Sequence, residues 1–244
     1  MERATTKLRR LLKEKDFLYM PSAYYPLCAL VAQQIGIESA YVGGYVTGGS
    51  KAVSEPLLSM DEQVRVAGEI AQRCSIPIIA DAGAGFGEPL HCMRTVREFI
   101  NAGVAGVHIE DQLFPKRAHY HKYVAHAIPV EEFAHKIRYA CRERDETDPD
   151  FVVIVRSDTC RFEGFDEAVE RTYARIVSDS RHEIVSVLFE DHISARFFPD
   201  WSMGFRTSEG ADAASIEAIY ETASRSAARF PINDFLLLFG NDGD

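Results

Sequence analysis

Short apolar runs alternate with amphipathic stretches along most of the chain. Five such runs precede residue 160: 17–24, 38–45, 76–81, 106–111 and 151–158. The last three are rich in Val and Ile at consecutive positions, which is typical of strands buried on both faces of a parallel sheet. Each run is followed by apolar positions with a helical period. Five successive strand-plus-helix units predict a parallel sheet with right-handed crossovers.

Helix-end signals support this pattern. Pro26 and Gly36 bracket one predicted helix, and Ser59 with Glu62 has capping-box spacing at the start of another. Two further helices are predicted after Pro89 and Pro129. Their apolar stripes are Leu90, Met93, Val96 and Ile100 in the first, and Val130, Phe133, Ile137 and Cys141 in the second. A stripe of Val169, Tyr173 and Ile176 predicts a helix after Asp166.

The last third of the chain is less regular. The segment 184–191 predicts a sixth strand and 234–240 a seventh, with an irregular aromatic connection between them, and no eighth unit follows. We expect a TIM-type (β/α)8 barrel, because polar groups recur at the end of strand after strand rather than at one switch point. We therefore predict a single barrel domain over 1–244 whose C-terminal part is atypical or incomplete.

Composition narrows the functional classes. The 244 residues are 46% apolar, which supports a sizeable core, and the net charge of −10 argues against binding to nucleic acid or to anionic membranes. We find neither an apolar run of membrane-spanning length nor the apolar segment of a secretory signal near the N-terminus. The five cysteines form no CxxC pair, which favours reduced thiols. We expect a cytoplasmic protein.

Candidate chemistry lies at the predicted strand ends, where barrel enzymes place their active sites. These ends carry Gly43-Gly44-Tyr45, Asp81, Glu110-Asp111, Arg156 with Asp158, and Glu190. Converging carboxylates need a cation, and hard oxygen ligands suit Mg²⁺, with Mn²⁺ as an alternative. An Arg beside them suits a small anionic substrate. For any one of these acids, capping the next helix is an equally good explanation.

Several motifs resemble one known family. The stretch IADAGAGFGEPLHCMRTVREFINAGVAGVHIEDQLFPKR (79–117) resembles the isocitrate lyase/phosphoenolpyruvate mutase superfamily, particularly its methylisocitrate lyase-like and 2,3-dimethylmalate lyase-like members. The resemblance covers about residues 10–177, and 178–244 diverge. It implies a metal-dependent enzyme that makes or breaks a C–C or P–C bond next to a 2-oxo acid through an enolate-type intermediate. It also implies a homo-oligomer, a dimer or a tetramer.

The resemblance assigns roles position by position. Asp81 matches the direct metal ligand, Glu110 a carboxylate that holds the metal through water, and Arg156 the residue that grips the substrate carboxylate. Positions 42–45 (Val42, Gly43, Gly44, Tyr45) match the stretch that receives the 2-oxo acid. We add Glu190 as a candidate substrate contact and Lys116 as a candidate for reaching a substrate anion.

Three positions depart from the family pattern. Gly83 replaces an acid that holds the metal through water, and Ser54 replaces an acid of the loop after the second predicted strand, with Glu55 beside it as a substitute. Ala118 replaces the acid/base cysteine of the KRCGH motif. The candidates for its proton-transfer role, together with Lys116, are His119, Tyr120 and His121. An exposed polar loop without a catalytic member is the alternative.

Three functions follow as hypotheses. The first is an Mg²⁺-dependent carbon–carbon lyase acting on a 2-hydroxy or 2-oxo dicarboxylate. The second is oxaloacetate decarboxylation or P–C chemistry of the phosphonopyruvate or phosphoenolpyruvate mutase type, which needs no proton donor at the same leaving carbon. The third is a catalytically defective, truncated barrel.

Overall fold

The computed structural model describes residues 2–15, 18–117 and 126–159 in full, and only the backbone of 186–189 and 205–206. All of these residues belong to one unit, Met1–Arg206, and a second unit, Thr207–Asp244, lies outside the described residues. The predicted helix after Asp166 and the predicted strand at 234–240 also lie outside them. The single domain over 1–244 therefore stays a prediction.

Helices and strands alternate along the described chain. Its helices are α1 (Ala4–Glu14), α2 (Pro26–Gln34), α3 (Gly44–Ser50), α4 (Met60–Ala71), α5 (Pro89–Asn101) and α6 (Val130–Thr147), with one 3₁₀ turn at Glu55–Leu57. Its strands are β1 (Ala40–Val42), β2 (Ile78–Asp81), β3 (Gly106–Glu110), β4 (Val152–Ser157), β5 (Ser186–Phe189) and β6 (Phe205–Arg206). Across the fully described ranges, no helix combines the length and the apolar character that a membrane crossing requires.

The strands form one sheet in the order β1-β2-β3-β4-β5-β6. Strands β1 to β5 pair in parallel, which confirms the predicted α/β class, and β5 pairs with β6 antiparallel. The short strand β6 was not predicted, because its sequence has no strand periodicity. The first predicted strand was wrong as a full strand: within 18–24, only Ser22 forms a bridge, to Tyr41.

The helix-end signals are largely confirmed. The Glu62 N–H donates to Ser59 Oγ at 3.3 Å and the Ser59 N–H donates to Glu62 Oε2 at 3.0 Å, so the capping box at the start of α4 is formed. Helix α6 buries all four residues of its predicted stripe.

The predicted stripe of α5 was wrong by about one position. Leu90 is 71% exposed, and the buried face carries Cys92, Thr95, Val96 and Phe99. This face packs against α6 as well as the sheet, and burying Thr95 is tolerated because its hydroxyl donates to the Gly85 carbonyl at 3.2 Å. Because Thr95 is polar, a pattern based on apolar residues alone did not predict this buried face.

One face of the sheet changes from apolar to polar along the strands. Near the amino ends, Ile79, Val152 and Ile154 pack with Leu8 and Leu12 of α1 in one cluster. Side chains two residues apart share a face. The same face therefore carries the polar side chains of β2, β3 and β4 at the carboxyl ends: Asp81, Glu110 and Arg156. Helix α1, which the sequence did not predict, covers the apolar end.

Leu8→Ala should destabilise the protein by about 2–5 kcal/mol, because it leaves a cavity in this cluster. Leu8 is fully buried and lies against Gly106, where an added Cβ would stand 3.4 Å from Leu8 Cδ2. Urea denaturation followed by circular dichroism measures the change. Lys13→Ala, at an exposed position of the same helix, is the control and should stay within about 0.5 kcal/mol. Equal effects of the two variants would show that α1 does not pack on the sheet.

Candidate metal and substrate site

The structure brings Asp81, Glu110 and Arg156 together at the carboxyl ends of three adjacent strands. Asp81 ends β2, Glu110 ends β3, and Arg156 is the neighbour of Glu110 in the register with β4. Their exposures are 4%, 0% and 8%. Arg156 Nη1 lies 3.4 Å from Glu110 Oε2. The predicted convergence of these three residues is therefore present, in a largely buried setting.

Asp81 is oriented by two backbone amides. The Gly83 N–H donates to Oδ1 at 2.6 Å and the Gly44 N–H donates to Oδ2 at 3.1 Å. Burial alone would raise the pKa of the Asp81 carboxyl, but the charge of Lys116 and the Gly83 N–H, with other nearby groups, hold that pKa well below its usual value. Asp81 is thus an ionised carboxylate whose orientation is fixed by the backbone.

Lys116 lies among three carboxylates. Its Nζ forms a short ion pair with Glu55, donates to Glu110 Oε2 at 3.3 Å, and stands 3.7 Å from Asp81 Oδ2. Burial would lower the pKa of Lys116, but Asp81, Glu110 and Glu55 together raise that pKa well above its ordinary value. Lys116 is therefore a buried cation within the site.

Glu55 supplies an acid that the sequence placed only as a substitute for the one missing at Ser54. Its carboxylate reaches Lys116, and burial raises the pKa of that carboxyl. It also packs against Gly44, where an added Cβ would stand 2.5 Å from Glu55 Oε1. The sequence identified Glu55 only as the neighbour of Ser54 and a substitute for the missing acid, because no periodicity in this segment marks a buried position.

His108 also belongs to the site and was missed by the sequence analysis. Burial lowers the pKa of His108 to about 4, so the ring is neutral, and its Nε2 shares a short hydrogen bond with the Tyr41 hydroxyl. Its position inside an apolar strand indicated a core residue. In β3, however, it shares the face of Glu110 two residues later, and that spacing was the available signal.

Asp81, His108 and Glu110 fit a divalent cation. Each offers one ligand atom, and these atoms lie within 4.8 Å of one another. Within the described residues, Glu110 Oε1 is buried without a hydrogen-bond partner, although Lys116 Nζ forms an ion pair with it at 3.3 Å. His108 Nε2 lies 3.7 Å from Asp81 Oδ1. Burial raises the pKa of Glu110 to about 7, which marks a carboxylate whose charge is costly unless a cation is near. The two carboxylates of this group suit Mg²⁺ or Mn²⁺.

Asp111 and Asp158, the other two acids at these strand ends, hold neighbouring groups of the site in position. Asp111 accepts hydrogen bonds from Ser157 Oγ at 2.7 Å, the Asp158 N–H at 2.9 Å and Thr159 Oγ1 at 2.9 Å. Asp158 in turn accepts a hydrogen bond from Arg156 Nε at 2.8 Å. Asp111 thus ties the end of β3 to the end of β4, and Asp158 orients the guanidinium.

The predicted substrate stretch 42–45 lies beside Asp81. Val42 is buried in β1 and its carbonyl accepts a hydrogen bond from Gln63 Nε2 at 3.0 Å, while Gly43 caps α3. The Gly44 N–H donates a hydrogen bond to Asp81 Oδ2, and Tyr45 is 42% exposed. His119, Tyr120, His121 and Glu190 lie outside the described residues, so their proposed roles stay predictions.

An open pocket lies over the acidic cluster. Gly44, Glu55, Asp81, Gly83 and Lys116 form its polar part, and Leu58, Phe86 and Phe114 are among its apolar lining. Phe86 and Phe114 meet edge to face with ring centroids 6.2 Å apart. The charged lining consists of two carboxylates and one ammonium, so a small organic anion would need a further cation beside it to bind here.

Two family models match the chain. The model described as Phosphoenolpyruvate phosphomutase matches residues 8–177. A second, described as Sensors of blue-light using FAD, matches residues 157–204, a minor part of the chain that overlaps the end of the first. Of that second range, only 157–159 and the backbone of 186–189 are described.

Individual relatives agree with the first model. The chain is 37% identical over 171 residues to 2,3-dimethylmalate lyase of Eubacterium barkeri, covering 69% of this chain and 58% of the relative. It is 37% identical over 168 residues to probable 2-methylisocitrate lyase 2 of Corynebacterium glutamicum, covering 68% and 54%. The chain thus spans little more than half the length of these curated relatives.

A solved structure shares the fold. Phosphonopyruvate hydrolase in complex with oxalate and Mg²⁺ superposes with a TM-score of 0.69 at 26% identity, over 98% of this chain and 86% of that one. Family model, relatives and fold agree with the motifs at 79–117 and confirm the resemblance drawn from them. The chain belongs to the isocitrate lyase/phosphoenolpyruvate mutase superfamily.

Proposed function

We propose that the protein is an Mg²⁺-dependent lyase that cleaves a carbon–carbon bond of a 2-hydroxy or 2-oxo dicarboxylate through an enolate intermediate. The observation that carries the proposal is the buried convergence of Asp81, Glu110 and Arg156, of which Asp81 lines an open pocket. The names of the two curated relatives, both lyases, support it. We extend the proposal to the fold and infer that the parallel sheet belongs to a TIM-type barrel.

Asp81 and Glu110 are the residues that would hold the metal. Asp81 is ionised and oriented by two amides, and the buried Oε1 of Glu110 has no hydrogen-bond donor, only the Lys116 ion pair at 3.3 Å. When bound, the metal supplies Lewis-acid polarisation of a substrate oxygen. Mn²⁺ is the alternative ion, because the carboxylate ligands that suit Mg²⁺ also suit Mn²⁺.

Arg156 would bind a substrate carboxylate. Its guanidinium is held by Asp158 and lies against Glu110, so its direction is set before the substrate arrives. A planar guanidinium can donate two parallel hydrogen bonds to a carboxylate, which fixes the angle of the anion as well as its position. The stretch 42–45 would line the other side of the bound acid.

The residues proposed for proton transfer follow Lys116 in the sequence. Ala118 stands where the lyases of the family carry a cysteine, so we propose that His119, Tyr120 or His121 exchanges the proton, with Lys116 stabilising negative charge beside it. The neutral and charged forms of a histidine are both accessible near pH 7, which this step requires. A homo-oligomer, dimer or tetramer, remains a prediction of the family resemblance.

Two other functions remain as candidates. The likeness to phosphonopyruvate hydrolase supports P–C chemistry on the same metal site, and decarboxylation of oxaloacetate would use the same groups. A catalytically defective barrel is favoured by a different observation. The phosphomutase model ends at residue 177, and an unrelated family model matches 157–204.

The lyase should release a 2-oxo acid, such as pyruvate or glyoxylate, from one member of a panel of substituted malates and citrates when Mg²⁺ is present. CO₂ and phosphate are measured in parallel with the 2-oxo acid. Their release would indicate decarboxylation and P–C chemistry, respectively, instead of C–C cleavage. Asp81→Asn keeps the shape of the ligand but removes its charge, and should lower kcat/KM by at least about a hundredfold. If no compound turns over and Mg²⁺ does not raise the melting temperature, the lyase proposal is wrong and the barrel is catalytically defective.

Arg156→Lys should weaken substrate binding far more than it weakens the fold. The variant keeps a positive charge between Glu110 and Asp158 but loses the planar fork. We expect KM to rise by about ten- to a hundredfold, from the loss of one bidentate contact. Arg142→Lys, in an exposed ion pair on α6, is the control and should not alter KM. An unchanged KM in Arg156→Lys would remove this residue from the substrate site.

Gly83→Asp should strengthen Mg²⁺ binding by returning an acid to the turn after β2. Gly83 has φ of +51°, which Asp and Asn tolerate better than most residues, and an added Cβ there meets only Lys116 Cδ, at 3.8 Å. Gly83→Asn has the same shape without the charge and is the matched control. Isothermal titration calorimetry should give a lower Kd for the Asp variant. Equal Kd values for the two variants would mean that charge at this position does not reach the metal.

A further inference from the structure

Lys116 occupies the place that a cation needs in this site. Its Nζ contacts Glu55, lies 3.3 Å from both oxygens of Glu110, and lies 3.7 Å from Asp81 Oδ2. The side chain is 9% exposed. One ammonium therefore serves three carboxylates, two of which are the proposed metal ligands.

Gly83 of the turn after β2 lies next to the side chain of Lys116. Lys116 Cδ is 3.8 Å from the point where a Cβ of Gly83 would stand, which is an ordinary van der Waals separation. The turn that orients Asp81 through the Gly83 N–H is therefore also in contact with Lys116.

A divalent cation and the Lys116 ammonium cannot share these oxygens. Oxygen ligands stand about 2.0–2.1 Å from Mg²⁺, so an ion bound to Asp81 and Glu110 would lie within a few ångströms of Nζ. Two like charges at about 4 Å repel strongly in a protein interior, where screening by water is weak. Lys116 would therefore have to move away from these oxygens for an ion to bind to them.

We propose that Lys116 is a resident counter-ion that leaves the carboxylates when the metal binds, and that its amine is then available to the anionic substrate. This inference rests on the proposed metal site. It adds that metal binding releases Lys116 from the carboxylates before Lys116 contacts the substrate. In the metal-free protein Lys116 offsets the repulsion among Glu55, Asp81 and Glu110. In the metal-bound protein the same charge is presented to the pocket, where Lys116 already forms part of the lining.

The first test is the affinity for Mg²⁺ alone. Removing the competing ammonium in Lys116→Met should lower the Kd for Mg²⁺ at least about tenfold, as measured by isothermal titration calorimetry without substrate. Lys13→Met, on the exposed side of α1, changes the net charge equally and is the control. An unchanged or higher Kd in Lys116→Met would overturn the proposal.

The second test uses the unaltered protein and does not depend on how the variant folds. A small acylating reagent is applied with and without Mg²⁺, and acylation at Lys116 is followed by peptide mass spectrometry. Mg²⁺ should increase the rate at Lys116 and leave Lys13 unchanged.

The two tests separate this inference from the proposed function. If Mg²⁺ binds in an Asp81-dependent manner but acylation at Lys116 does not change, only the counter-ion role is overturned. If Mg²⁺ does not bind to the protein or to Lys116→Met, both the counter-ion role and the metal site are overturned.

Discussion

The site depends on one constraint: three carboxylates are held together with little access to water and must be neutralised. Glu55, Asp81 and Glu110 come from a loop and two strands, and only nearby positive charge makes their close approach tolerable. Arg156 and Lys116 supply that charge within the described chain. Burial raises the pKa of Glu110 to about 7 even with Lys116 and Arg156 beside it, which indicates that the compensation is incomplete. This shortfall is what suits the site to a divalent ion.

The sheet is organised to bring these charges to one end. In parallel strands the carboxyl ends meet at one edge, and alternation places Asp81, Glu110 and Arg156 on the same face. The opposite end of that face is apolar and is covered by Leu8 and Leu12 of α1. Charged and apolar functions are thus separated by only two residues along a strand. Stability and chemistry use different layers of the same strands.

Much of this arrangement could be predicted from the sequence. Buried strands have unmistakable apolar runs, and the residue that follows each run must lie at the sheet edge, so Asp81, Glu110 and Arg156 were identifiable. Glu55 was identifiable only through the family resemblance, as a substitute for the acid missing at Ser54. His108 was not identifiable, because it is surrounded in sequence by apolar residues. The buried sector of α5 was misplaced because Thr95, a polar residue, satisfies its hydroxyl internally.

Asp111 has a wider consequence through its hydrogen bonds to Ser157, Asp158 and Thr159. These bonds join two strand ends directly, without any contribution from the loops above them. The spacing between the metal-side carboxylate of Glu110 and the guanidinium of Arg156 is therefore a property of the frame. Changes in the surrounding loops can therefore leave this spacing as it is. Under the proposed function, the identity of the accepted acid could change while Glu110 and Arg156 keep their positions.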